Sequence, residues 1–186
     1  MAQVLSTIRK NEEPPPERVL GNFWSQKFAD MMNRWYGVHK FDKAPSPIIT
    51  LPNGMRIILA DVLLLEKEGE NYYCEVKHKA PTKFGSYGLE EYRFNSLKRL
   101  QEYVRAKVLY VIHDHSLNGG RDNPYNDINH WKVATIPVLV DSPHIRHPGP
   151  SLVNGVRQIG VPIYYWATTL WIPVNNFFQL ERSGHG

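Results

Sequence analysis

The chain has 186 residues, enough for one domain with its own core, and 42% of them are hydrophobic, which excludes a disordered chain. No apolar run is long enough to span a bilayer, and there is no internal repeat or long low-complexity tract. The 22 basic and 18 acidic residues leave a formal charge of +4, which suits a polyanionic partner without requiring one. The single cysteine, Cys74, excludes an intrachain disulfide and points to a reducing, cytoplasmic setting.

Residues 1–16 lack the charged-then-apolar order of a signal peptide and end in Pro14-Pro15-Pro16, which predicts a stiffened arm. Val19, Leu20, Phe23, Trp24, Phe28, Met31, Met32 and Trp35 then recur at helical spacing, and Gly37 follows them, so a helix is predicted over 17–36. Asn53-Gly54 between two apolar runs is a strong hairpin signal. The second of these runs, 55–65, reads as a long strand. A polar turn over 67–71 leads to a third strand over 71–79. Leu89, Tyr92, Leu97, Leu100 and Val104 give 88–105 the stripe of a second helix.

Residues 107–113 read as a strand, 116–129 as a loop, 131–140 as a strand, 141–155 as a loop and 161–172 as a closing strand; the tail over 181–186 is expected to fray. The expected fold is α/β, a single domain over 17–180 around one mixed sheet. Three consecutive strands before the second helix argue against a doubly wound fold throughout.

The third strand contains YYCEVKHK, residues 72–79. Alternation along a strand puts Glu75, Lys77 and Lys79 on one face and Cys74, Val76 and His78 on the other. With 18 acids and 11 lysines in 186 positions, chance gives roughly one acid-x-Lys triplet, and the chain has one, so the triplet alone is no more than a solvated strand edge. Asp61 changes the weighting. It interrupts MRIILADVLLL, the most apolar run, where a carboxylate is expensive to bury without a partner. It lies 14 residues before Glu75, so the two can converge from adjacent antiparallel strands. Two convergent carboxylates suit Mg²⁺, with Mn²⁺ as a substitute, and a lysine beside them can orient or deprotonate an attacking water. The plain alternative is a buried Asp–Lys ion pair.

These residues, in the order helix, Asp61, Glu75-Val76-Lys77, helix, strand, resemble the PD-(D/E)xK nuclease superfamily, and within it the Holliday-junction resolvases and the phage and RecB-like recombination nucleases. The resemblance covers about 17–115 and leaves a C-terminal extension, 116–180, unexplained. It implies a restriction-endonuclease-like α-β-β-β-α-β core with a central mixed sheet. It also implies a Mg²⁺-dependent DNA endonuclease, with Asp61, Glu75 and the Val76 carbonyl as metal ligands and Lys77 as the catalytic lysine. A junction- or flap-processing role in recombination, repair or phage DNA processing would follow, as would a homodimer if two strands are cut.

Two departures accompany the resemblance. Ala60 stands where many members have proline. The first-helix glutamate that often completes the metal site has no clear counterpart, leaving Glu17 at the helix start or Gln26 in its middle. An exonuclease or restriction-type enzyme of the same fold, and a nuclease-fold module that binds DNA or protein without cutting, remain alternatives.

Lys79, Lys83, Tyr87, Tyr92, Arg93, Asn95, Lys98 and Arg99 would supply phosphate contacts beside the cleft, or else form a solvated basic face. His113 and His115 share a strand face and could take a transition metal, although histidines facing solvent at a strand end are commoner. Arg146, His144 and His147 are read as loop residues able to touch a phosphate backbone. Cys74 is expected in the core, and Trp35, Tyr164, Tyr165, Trp166 and Trp171 are read as packing rather than base-stacking residues.

Overall fold

The structure is a computed structural model that describes residues 16–36, 41–43, 48–50, 56–58, 61–64, 71–118, 128–153 and 156–183. The predicted arm, the Asn53-Gly54 turn, the polar turn before 71 and the side chains of Glu17 and Trp35 lie outside the described residues.

Helix α1, Pro16–Tyr36, opens on a proline, whose missing N–H costs nothing in a first turn. It buries Trp24, Phe28, Ala29 and Met32, a stripe at helical spacing. Short strands follow: β1 (Phe41–Lys43), β2 (Ile48–Thr50), β3 (Arg56–Ile58) and β4 (Val62–Leu64). Strands β2 and β3 pair antiparallel with Thr50 opposite Arg56, as the predicted hairpin requires, but they form a separate two-stranded sheet. The run expected as one strand over 55–65 is therefore split between two sheets. Asp61 occupies a bend immediately before β4, not a strand interior. The break turns the Asp61 carboxylate to the neighbouring strand, where the Val76 N–H gives it a hydrogen-bond partner.

Strand β5 (Tyr72–Lys79) leads to β6 (Ser86–Glu90), helix α2 (Glu91–Tyr103) and β7 (Lys107–Asp114). The second helix thus starts three residues later than its stripe predicts. Gly88, Leu89 and Glu90 are strand residues paired with β10 (Val156–Ala167). Gly88 is required there: a Cβ would fall 2.7 Å from Tyr165 Cε1 and 2.9 Å from Ile163 Cγ2. Gly88→Ala is expected to cost about 1–3 kcal/mol by overpacking, read as a lower urea midpoint at unchanged slope.

The region expected as a strand over 131–140 is β8 (Trp131–Thr135) followed by helix α3 (Ile136–Asp141). Thr135 Oγ1 caps that helix by accepting from Val138 N–H at 3.4 Å, and Pro137 cannot serve a sheet ladder. The region expected as a loop over 141–155 contains β9 (Ile145–Val153), antiparallel to β10. The closing strand is β10, earlier and longer than expected, and it is followed by β11 (Ile172–Pro173) and helix α4 (Val174–Ser183), which reaches into the first residues of the expected frayed tail.

Strands are ordered β1-β4-β5-β7-β8-β11 in a six-stranded sheet and β6-β10-β9 in a three-stranded one, so the single sheet expected from sequence is three sheets. The large sheet is mixed: α2 carries the crossover between parallel β5 and β7, and the other neighbours pair antiparallel. One face buries Trp24, Phe28 and Met32 of α1 and Phe177 and Phe178 of α4 against Cys74, Val76, Leu109, Val111 and Val133. The other buries Phe94, Leu97 and Leu100 of α2 with Leu139 of α3 and Trp166 against Val108, Tyr110 and Ile112. Burial on both faces explains why β7 is an unbroken apolar run. Each fully buried side chain such as Phe28 contributes roughly 1.5–3 kcal/mol. Among the described residues, no helix is long and apolar enough to cross a membrane.

Candidate active site

Strand alternation turns Tyr72, Cys74, Val76 and His78 toward α1, and Tyr73, Glu75 and Lys77 toward α2. The ladder between β4 and β5 runs from Leu64↔Tyr72 to Val62↔Cys74. Beyond its end, the Val76 N–H donates to Asp61 Oδ2 at 3.0 Å. The bend before β4 thus returns Asp61 to the strand that carries Glu75. Because the N–H and C=O of one strand residue project to the same edge, the Val76 carbonyl projects to the Asp61 side too.

Glu75 is fully buried. Its Oε2 accepts from the Arg93 guanidinium, and its Oε1 lies 2.7 Å from Lys77 Nζ. That second contact is an ion pair without aligned hydrogen-bond geometry: Oε1 accepts no hydrogen bond among the described residues. Burial alone would push the Glu75 carboxyl up, but Lys77 and Arg93 more than reverse this and hold it at about 2. Lys77 shows the converse. Burial opposes its charge, yet Glu75 and Asp61 hold it above its ordinary value, so it carries a proton at neutral pH. It therefore acts as a cation and hydrogen-bond donor in this state, not as a base.

Asp61 is pushed from its ordinary value of 3.8 up to about 6, first by burial and then by the negative charge of Glu75. The folded chain holds this proton more tightly than the unfolded chain. The charged form therefore costs stability above about pH 6, and that cost fades as pH falls toward the ordinary carboxylate range. In metal-free buffer Asp61→Asn is expected to unfold at a higher temperature than the parent at about pH 7.5, with the gap closing toward about pH 4. An unchanged gap in a thermal scan would contradict this assignment.

The arrangement fits a hard divalent cation. Two carboxylates are close enough for one to raise the other, one Glu75 oxygen is held, among the described residues, only by the Lys77 ammonium, and a backbone carbonyl projects to the Asp61 side. Among the described residues, no group of three or more His, Cys, Asp and Glu side chains is arranged to hold a metal, so the described side chains supply two carboxylates at most.

The remaining expected site residues divide. Gln26 is exposed and donates to Asp30 Oδ1 at 2.9 Å, one turn along α1, and makes no contact with Asp61 or Glu75 among the described residues. Arg93, expected at the surface, is buried and belongs to the carboxylate cluster. Tyr87 is fully buried and donates to Asp114 Oδ2, so it packs in the core and cannot meet a ligand. Lys79 Nζ donates to the Gly88 carbonyl at 2.6 Å, and burial lowers its affinity for its proton to about 8. Lys83, Tyr92 and Arg99 are exposed, Lys98 and Asn95 partly so. Arg146, expected in a loop, is on β9 and forks onto Glu91 at 3.0 and 2.8 Å.

On the opposite sheet face, His78 Nδ1 lies 2.9 Å from His113 Nδ1, and His78 Nε2 lies 3.1 Å from His115 Nδ1. Trp24 stacks on His78 at 3.9 Å. His113 is thus buried rather than solvent-facing. The two nitrogens of His78 point to opposite sides of its ring, so the three imidazoles form a chain and do not converge. Alternation alone places His78 on this face, but its partners depend on the parallel register of β5 and β7.

Compared with known protein families and with curated proteins, the chain matches none.

Proposed function

We propose that the protein is a Mg²⁺-dependent deoxyribonuclease of the restriction-endonuclease-like type. The observation that carries this reading is the meeting of Asp61, Glu75 and Lys77 at the end of the β4–β5 ladder, within a sequence of elements running from α1 through β4, β5 and α2 to β7. Asp61 and Glu75, with the Val76 carbonyl, would hold the cation. When bound, that cation offsets charge on a phosphodiester and acidifies a water molecule. Lys77, kept protonated between the carboxylates, orients that water and stabilises the developing phosphate charge. Arg93 holds Glu75 in place from below. Val76 N–H fixes Asp61 in the orientation that presents its second oxygen.

The reading is tested by incubating purified protein with labelled linear duplex, single-stranded, flapped and four-way DNA in Mg²⁺ and in EDTA. Cutting of flapped or four-way DNA in Mg²⁺ alone is expected. Stepwise shortening from ends would make it an exonuclease, and one clean site in linear duplex a restriction-type enzyme. A second reading, a nuclease-fold module that binds DNA without cutting, is favoured by one observation: Arg93 and Lys77 already neutralise Glu75. Binding with no cleavage of any substrate would select it.

A further inference from the structure

Tyr92 stands in the first turn of α2, next to the arginine that holds Glu75, yet it is 47% exposed. Facing it are Gln158, Ile159, Gly160, Val161 and Pro162 of β10, which enclose with it an open cleft of about 330 Å³. The register of β9 and β10 shifts between Gln158 and Val161. Such bulges re-aim side chains beside functional sites. Gly160 takes φ +80°, and Ile159 stands 89% exposed on the lip.

We propose that this cleft takes one unpaired nucleotide of a DNA strand, its base stacked on Tyr92, beside the phosphate presented to Asp61, Glu75 and Lys77. The proposal rests on the DNA reading above and adds the substrate's state to it. The volume is at the lower end of small-ligand sites, on the scale of a single nucleotide. A base in duplex would have to leave its stack to enter. The lining is one aromatic ring, an apolar lip and one amide, with no carboxylate, which is the chemistry of a base platform and not of a charged ligand. Arg157, exposed on β10 one residue before Gln158, adds a positive charge on the same strand, of the sign a DNA backbone requires. The cleft and the candidate site meet on the first turn of α2, where Tyr92 is followed directly by Arg93.

The test is a single-stranded oligothymidylate carrying one 2-aminopurine, titrated with the full-length protein in EDTA, against the same probe in matched duplex. Quenching of the single strand well beyond that of the duplex is expected. Tyr92→Ala should weaken single-strand binding about tenfold and remove the quenching, while Tyr92→Phe keeps both. Ile159→Asp, a second variant at an exposed position, should also reduce quenching. Equal quenching by Tyr92→Ala and the parent would overturn the proposal, as would equal quenching of duplex and single strand, or no binding of the single strand. The assay needs no cleavage. A protein that quenches through Tyr92 but cuts nothing in Mg²⁺ keeps the cleft and loses the nuclease reading. One that cuts while its quenching ignores Tyr92 does the reverse.

Discussion

Lys77→Ala is expected to slow single-turnover DNA cleavage in Mg²⁺ by about 10²–10⁴-fold, while DNA affinity measured in EDTA stays within about twofold. The large effect follows from the position of Lys77. Its ammonium lies 2.7 Å from Glu75 Oε1, and Glu75 and Asp61 hold its proton in place. The side chain is 35% exposed, so its head can meet both the carboxylates and an incoming phosphate. Truncation leaves no core cavity, and Arg93 still pairs with the Glu75 carboxylate that it leaves behind. Lys77→Arg keeps the charge but replaces a compact ammonium with a broad planar fork, and should recover little of the rate. Cleavage unchanged by Lys77→Ala would remove this residue from the chemistry.

Arg93→Ala is expected to lower stability by about 3–5 kcal/mol, a fall in Tm of roughly 6–20 °C for a chain this size. Arg93 and Glu75 are both buried, and the guanidinium donates a hydrogen bond to Glu75 Oε2. Removing it leaves a buried carboxylate balanced by Lys77 alone. Most of the penalty is that uncompensated charge, so adding Glu75→Gln to Arg93→Ala should restore a large part of the lost Tm. A Tm unaffected by Arg93→Ala would mean that the pair does not hold the fold. A double variant no better than the single would trace the loss to packing of the arginine stem.

The sequence made some of this arrangement legible and hid the rest for identifiable reasons. The two-residue period of a strand is enough to put Glu75 and Lys77 on one face and Cys74 and His78 on the other, because no long-range contact can change it. The first helix and the Asn53-Gly54 hairpin were equally local. Asp61 does lie against the strand that carries Glu75, but the bend that carries it was not legible, because an apolar run of eleven residues looks continuous until its halves find different sheets. Strand β9 was hidden by Pro148, Gly149 and Pro150, which read as a loop; the strand forms because β10 pairs with Pro148 and Gly149 and with the residues on either side. Helix α4 did leave a signal, Val174, Phe177 and Phe178 at helical spacing, masked by Asn175-Asn176. Arg93 is the instructive case: its inward direction depends on α2 beginning at Glu91, and that start is set by the pairing of Gly88 with Tyr165 far along the chain.

The central claim is that Asp61, Glu75 and Lys77 form one metal-dependent site acting on a phosphodiester. The most direct measurement compares cleavage of flapped or four-way DNA by the parent, Asp61→Asn and Lys77→Ala, purified alongside one another, in Mg²⁺ and in EDTA. The account predicts cutting by the parent in Mg²⁺ only, and loss of cutting in both variants with DNA binding in EDTA retained. Equal cutting by all three proteins, or cutting by the parent that persists in EDTA, would contradict it.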